Sequence, residues 1–217
     1  MAPRVRDARY NPSAVFFLRR KPDPPFAFRD DLLAADRLRD GDLQLVGPAP
    51  EHLDDFVRSA GHDGNKVSVA GVKVLIDVAP GGRERCDPRQ DRSGVVATYR
   101  MWMKLANESP LPFAGRVTLR IGHSKTLDRY LGHVGYEVFP SCRGRRFAER
   151  GVRLLLPLAR AHAIDPVWIT CNPDNAPSRR TCERLGATLI DTVDVPRRHP
   201  LRRYGHIRKC RYRLPLS

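Results

Sequence analysis

The chain has 217 residues, 41% of them hydrophobic, with 39 Lys plus Arg against 24 Asp plus Glu and a formal net charge of +15. This length and apolar content suit one domain with an appendage and a substantial core, whereas no run approaches the roughly 20 apolar residues that span a bilayer. The positive excess fits a polyanionic partner (a nucleic acid, an anionic surface or a phosphorylated cofactor), and a general bias toward Arg produces the same excess with no ligand at all.

In chain order, residues 1–40 read as an extension. Arg19-Arg20-Lys21-Pro22-Asp23-Pro24-Pro25 is rich in charge and proline, and the short patch Ala14–Leu18 before it is expected to dock on the domain. That patch is too short for a secretory signal core, so a cytoplasmic location is expected. From Gly41 the pattern becomes periodic: Asp42–Val46 alternates as a strand, and Pro50–Val57 reads as a short helix opened by proline and acidic residues. Lys66–Val78 is rich in Val and Ile at β spacing, and the polar segment Pro80–Gly94 reads as an exposed loop. Three strands follow at Val95–Leu105, Gly115–Ile121 and Gly132–Phe139, with short connections that predict an antiparallel meander. Arg143–Ile164 then changes to helical spacing, with apolar residues at Phe147, Leu154, Leu155, Leu158 and Ala159, and Pro157 is expected to kink or split it. Val167–Cys171 is a short strand, Asn172–Asn175 a turn, and Ala176–Leu185 a helix closed by Gly186. The late strands Thr188–Val195 and Ile207–Leu214 flank a polar loop that carries Tyr204.

The five cysteines are odd in number, widely spaced and without CxxC or zinc-type Cys/His spacing, so free thiols are expected. The seven histidines form no HExxH or paired motif, and no metal site is expected.

The stretch Val138–Ala148 carries the strongest functional signal. It joins a strand to a helix through an Arg-Gly turn, and the first turn of a helix leaves backbone N–H groups unpaired at the positive end of its dipole. Gly144 lets the backbone approach an anion, and Arg143, Arg145 and Arg146 add bidentate donors. A solvated basic turn would look the same in so Arg-rich a chain.

A second stretch resolves that ambiguity. From about Gly115 onward the element order, the segment Arg143-Gly144-Arg145-Arg146-Phe147-Ala148 and the segment Ile169–Ala187 together resemble the GNAT N-acetyltransferase superfamily. The first segment is similar to the family's pyrophosphate loop, Gln/Arg-x-x-Gly-x-Gly/Ala. The second is similar to its fifth strand and following helix. Gly132-His133-Val134-Gly135-Tyr136 is similar to the fourth strand of a bacterial subgroup. The match departs at Arg146, where the family usually has glycine.

The resemblance implies a mixed α/β fold over residues 41–217, with a largely antiparallel central sheet flanked by helices and splayed fourth and fifth strands. It implies direct transfer of acetyl from acetyl-CoA to an amine of a small molecule or peptide, by a monomer or homodimer, with no role for a membrane or nucleic acid. The backbone of Gly144, Arg145, Arg146 and Phe147 would face the pyrophosphate, joined by Arg143 and with Ala148 keeping the helix close. The main chain at Val138 would pair with pantetheine and polarise the thioester. Asn175 either contacts the cofactor arm or caps the next helix, and Ser178 is divided in the same way.

For the base that deprotonates the amine, His133 leads because imidazole titrates near neutrality, and Glu137 follows. In a regular strand the two share a face about 13 Å apart at about 3.3 Å per residue, so one would act through water. The alternative for His133 is a packed, hydrogen-bonded histidine. The slot where relatives carry a tyrosine acid holds Cys182, which is either a proton donor to the leaving thiolate or a small apolar residue. Tyr204 is a second donor candidate, and water a third. A competing reading keeps the fold but loses the catalysis, leaving a CoA-binding or nucleic-acid-binding module.

Overall fold

A computed structural model describes residues 29, 32–33, 37–47, 49–52, 55–56, 58–59, 81–85, 95–106 and 111–216. Most of the expected extension, and all of Lys66–Val78, lie outside the described residues.

Among the described residues nine strands form one sheet: β1 (Arg39–Asp40), β2 (Leu43–Val46), β3 (Gly81–Arg85), β4 (Val95–Leu105), β5 (Phe113–Ile121), β6 (Val134–Val138), β7 (Val167–Cys171), β8 (Thr188–Asp194) and β9 (Arg208–Leu214). Their spatial order is β1-β2-β4-β5-β6-β7-β9-β8, with β3 also beside β4. Every pairing is antiparallel except that of β6 with β7. The expected meander is therefore β4-β5-β6, and the expected largely antiparallel α/β architecture is present.

Alternation along β5 sets the two faces of the sheet. Val117 and Leu119 are fully buried while Arg116, Thr118 and Arg120 between them are half-buried. Helix α1 (Phe147–Ala161) lays Phe147, Val152, Leu155 and Leu158 on the Val117 face, where burial of each apolar side chain contributes about 1.5–3 kcal/mol. Gly151 lets this helix come close, since a Cβ there would sit 3.1 Å from the Met103 sulfur. On the opposite face Phe56 stacks on Trp102, with ring centroids 4.0 Å apart, and meets Phe139 edge-on at 5.2 Å.

The parallel junction is short. β6 and β7 pair only at Val134 and Ile169. Just before it the His133 N–H donates to the Trp168 carbonyl at 2.7 Å, and the Trp168 N–H donates to His133 Nδ1 at 2.8 Å. Gly132, at φ 73°, makes this approach possible: a Cβ there would lie 3.0 Å from both the Thr170 nitrogen and the Trp168 oxygen. Beyond Val134 the strands part, which is the expected splay.

Several elements differ from expectation. Gly81–Arg85, inside the expected loop, is a strand, because β4 runs past the reach of β2 and its first five residues offer free backbone groups for β3. The sheet begins before Gly41, with β1 paired to β2 and Leu38 buried in the core. Helix α1 starts at Phe147 rather than Arg143, since Pro140–Cys142 form a 3-10 turn and Gly144 (φ 82°) and Arg146 (φ 59°) are left-handed. It also runs unbroken through Pro157. Pro157 and Arg153, whose carbonyl loses its intrahelical donor, are both exposed, so water can take the donor's place. The π-helical turn Leu127–Leu131 before β6 had no signature in the apolar pattern.

Candidate active site

The splay opens a groove of about 570 Å³ between β6, the turn before α1, and helix α2 (Ala176–Arg184). Its first wall is main chain. The Arg120 N–H donates to the His133 carbonyl and the Phe139 N–H to the Ala114 carbonyl, so the odd-numbered positions of β6 pair with β5. Alternation then aims the peptide groups of Tyr136 and Val138 into the gap that β7 has left.

The second wall is the Arg-Gly turn. The first bond of α1 runs from the Arg150 N–H to the Arg146 carbonyl at 3.0 Å, which leaves the amides of Phe147, Ala148 and Glu149 without intrahelical acceptors. No side chain caps this end. Arg143, Gly144, Arg146, Phe147 and Ala148 all line the groove, as does Val138. Arg143 Nε donates to the Val138 carbonyl at 3.2 Å, so this side chain ties the two walls together. Arg146 holds the left-handed conformation that glycine adopts without strain, and a non-glycine residue costs about 1–2 kcal/mol there. Arg145 points elsewhere, over the Phe147 ring at 5.0 Å, and is not part of the lining.

The third wall, α2, contributes Asn175 and Ser178. Asn175 Oδ1 accepts the Ser178 N–H at 3.1 Å, which makes it the helix cap, and Asn175 lines the groove as well. Ser178 Oγ lies 2.7 Å from the Tyr136 hydroxyl, which crosses from β6 to α2. Burial, then the neighbouring Cys182, push the Tyr136 phenol far above its ordinary value, which weakens it as an acid. Cys182 is fully buried and outside the groove lining; a hydrogen bond to Cys171, then burial, push its thiol up. It packs under Tyr136 rather than facing a ligand.

Tyr136, which none of the motifs marks as a site residue, also lines the groove. Its signal was parity: it alternates with Val134 and Val138, and so faces the helices, on the side opposite His133 and Glu137.

His133 sits at the closed end of β6, 0% exposed and away from the groove. Because Nδ1 accepts from the Trp168 N–H, the proton is on Nε2, which donates to the Gly122 carbonyl at 3.0 Å. Burial is the main cause that pulls its pKa down to about 4, so the ring is neutral. Both nitrogens hold backbone, and neither reaches the groove. Glu137 does line the groove, at an exposed position, with Arg116 Nη2 2.8 Å from its Oε2. Tyr204 is 77% exposed in the late loop and outside the groove. That loop is tied back by His206 Nδ1, 2.9 Å from Asn172 Oδ1.

The fold also gathers His123, Asp128 and His133, with ligand-type atoms within 4.8 Å of one another. The tautomer of His133 leaves it no lone pair to offer a cation there.

The profile of the Acetyltransferase (GNAT) domain family matches residues 43–188. The chain belongs to this family: it is an acetyltransferase of the class that uses acetyl-CoA as co-substrate. Among curated proteins no sequence relative matches the chain. Among solved structures, the microcin C7 self-immunity acetyltransferase MccE, in complex with acetyl-CoA and AMP, superposes with a TM-score of 0.56 at 14% identity, over 81% of this chain and 93% of that one. An acetyltransferase from Salmonella typhimurium that modifies the N-terminal serine of a 50S ribosomal subunit protein gives 0.56 at 14%, over 82% and 97%. The ribosomal-protein-S5-alanine acetyltransferase from Vibrio fischeri gives 0.55 at 10%, over 82% and 96%. No helix among the described residues is long and apolar enough to cross a membrane.

Proposed function

We propose that the groove holds acetyl-CoA with its thioester beside Tyr136 and Ser178, and that the enzyme delivers the acetyl group directly to the amine of a peptide or small molecule. The observation that carries this reading is the Tyr136–Ser178 hydroxyl pair at 2.7 Å, set beside the β6 backbone that β7 leaves and facing the amides of α1 that lack intrahelical acceptors. The amides of Phe147 and Ala148, with Arg143 and Arg146, bind the pyrophosphate. The Val138 main chain orients the pantetheine arm and stabilises charge that develops on the thioester oxygen. The Tyr136 phenol, protonated at neutral pH as any phenol is, gives its proton to the departing thiolate and regains one, relayed through Ser178, from the nitrogen of the attacking amine. Glu137 takes the ammonium proton through water, and His133 positions β6 without touching the reactants.

Two structural relatives act on ribosomal proteins, one at an N-terminal serine and one at an alanine. Peptide amines are therefore the first acceptor class to assay.

The site is tested by thermal unfolding with acetyl-CoA. Ligand at about 100 times Kd stabilises by about 2.7 kcal/mol, which raises the midpoint of a chain this size by about 5–10 °C. Gly144→Asp sets a carboxylate where the pyrophosphate lies and is expected to abolish the rise. Absence of any rise at millimolar acetyl-CoA, or an equal rise in Gly144→Asp, would sink the proposal.

A further inference from the structure

Helix α2 presents two more groups to the groove, Arg180 and Arg184, one turn apart and both exposed. The arginines around them are engaged. Arg150 pairs with Asp40 and Asp42, Arg153 bonds Glu149 and the Arg184 carbonyl, Arg179 donates to the Tyr212 hydroxyl, and Arg211 pairs with Asp191. Among the described residues the guanidinium groups of Arg180 and Arg184 have no ion pair or hydrogen bond. Like charges spaced i, i+4 repel each other, and this repulsion falls on the side of α2 that faces the groove.

The position along the groove is also distinctive. Ser178, at the thioester end, opens α2, and Arg184 closes it, about 9 Å further along at 1.5 Å per residue. At that far end the Arg184 carbonyl is bonded by Arg153 of α1 at 2.8 Å, so the two helices converge there. A ligand with its thioester at Tyr136 and its pyrophosphate at the start of α1 carries its nucleotide toward Arg180 and Arg184. The pyrophosphate is already met by amides and by Arg143 and Arg146. A further anion matches the two remaining cations.

We propose that Arg180 and Arg184 form a second anion subsite, which holds the 3′-phosphate of the co-substrate's nucleotide and distinguishes acetyl-CoA from its 3′-dephospho form. This rests on the placement of acetyl-CoA proposed above. A phosphate monoester presents three acceptor oxygens and close to two negative charges, and two guanidinium forks one turn apart complement it.

Calorimetric titration of the full chain with acetyl-CoA and with 3′-dephospho-acetyl-CoA tests the subsite without knowledge of the acceptor. The wild type is expected to bind acetyl-CoA about 10- to 100-fold more tightly, the range for hydrogen bonds to a charged group. The double variant Arg180→Gln/Arg184→Gln is expected to bind both ligands alike, at the wild-type affinity for the dephospho form. Arg180→Lys and Arg184→Lys, which keep charge and lose the fork, are expected to fall between. Equal binding of the two ligands by the wild type overturns the subsite while leaving the acetyl-CoA groove intact. An equal loss for both ligands in the double variant also overturns it, by placing the arginines on the pyrophosphate. Binding of neither ligand by the wild type overturns the groove and the subsite together. The wild-type comparison stands even if a variant misfolds.

Discussion

At its start β6 is held to β7 by the close approach at Gly132, the two backbone bonds of His133 and the Val134–Ile169 pair, whereas two to four residues later Tyr136 and Val138 face an open groove. The same strand is zipped to β5 from Leu119–Val134 through Gly115–Val138. The difference lies wholly on the β7 side. The splay is thus a closed joint with an open mouth: histidine and glycine make the joint, and hydroxyls and the peptide groups that β7 leaves furnish the mouth. Opening backbone to a ligand is tolerable where a rigid anchor limits the gap to a few residues.

The largest effect is expected at the mouth. Tyr136→Phe combined with Ser178→Ala removes both hydroxyls, and turnover is expected to fall about 100- to 1,000-fold, within the range for loss of a positioned proton donor. The thermal midpoint should barely move, and acetyl-CoA affinity should stay within a few-fold. Unchanged turnover in steady-state assays would return the proton-donor role to water.

At the joint the expectation is reversed. His133→Ala leaves the Trp168 N–H and the Gly122 carbonyl without their buried partner, a loss of about 2–3 kcal/mol in denaturant unfolding at pH 7. The folded enzyme should keep its turnover. Loss of turnover without loss of stability would make His133 the base after all. Its titration gives a second readout. The unfolded ring binds a proton near pH 6.5 and the folded ring only near pH 4. Unfolding therefore takes up a proton in that window, so the stability that depends on neutral His133 is fully present above pH 6.5 and is lost as pH falls toward 4. The shift corresponds to a loss on the order of 3 kcal/mol, and His133→Asn, which retains an acceptor for Trp168 but does not titrate, should flatten it.

The smallest effect is expected at the turn that faces the mouth. Arg146→Gly relieves the left-handed strain at φ 59°, and a gain of about 0.5–1 kcal/mol is expected after the entropy of a new glycine is counted. On the proposed placement of acetyl-CoA, removal of one cation from this wall should weaken its binding a few-fold in the same protein. A variant that is both less stable and tighter-binding would show that Arg146 is unstrained and in the way.

Much of the fold was legible because it is local. The periods of β4, β5 and α1 follow from alternation and from apolar spacing, and the Arg-Gly turn and the Asn172–Ala187 segment carry their conformational needs in residue type. Pro157 misled because exposure, which decides whether a prolyl break is tolerated, is not a local property. Gly81–Arg85 misled because its partner, the first half of β4, supplies the order its own composition lacks.

In the site, a few consecutive residues suffice to mark the Arg-Gly turn that exposes amides before α1, whereas Asn175, readable as a cap or as a cofactor contact, is both the cap and part of the groove lining. Which titratable groups meet follows from long-range packing. Tyr136 reaches Ser178 across 42 residues, His133 is locked at the joint by Trp168 across 35, and Arg180 and Arg184 face the groove because α2 packs beside α1. Strand parity says which way a side chain points, but the parallel pairing of β6 with β7 is a long-range contact, and where that pairing stops sets which end of β6 is closed and which end opens on the groove.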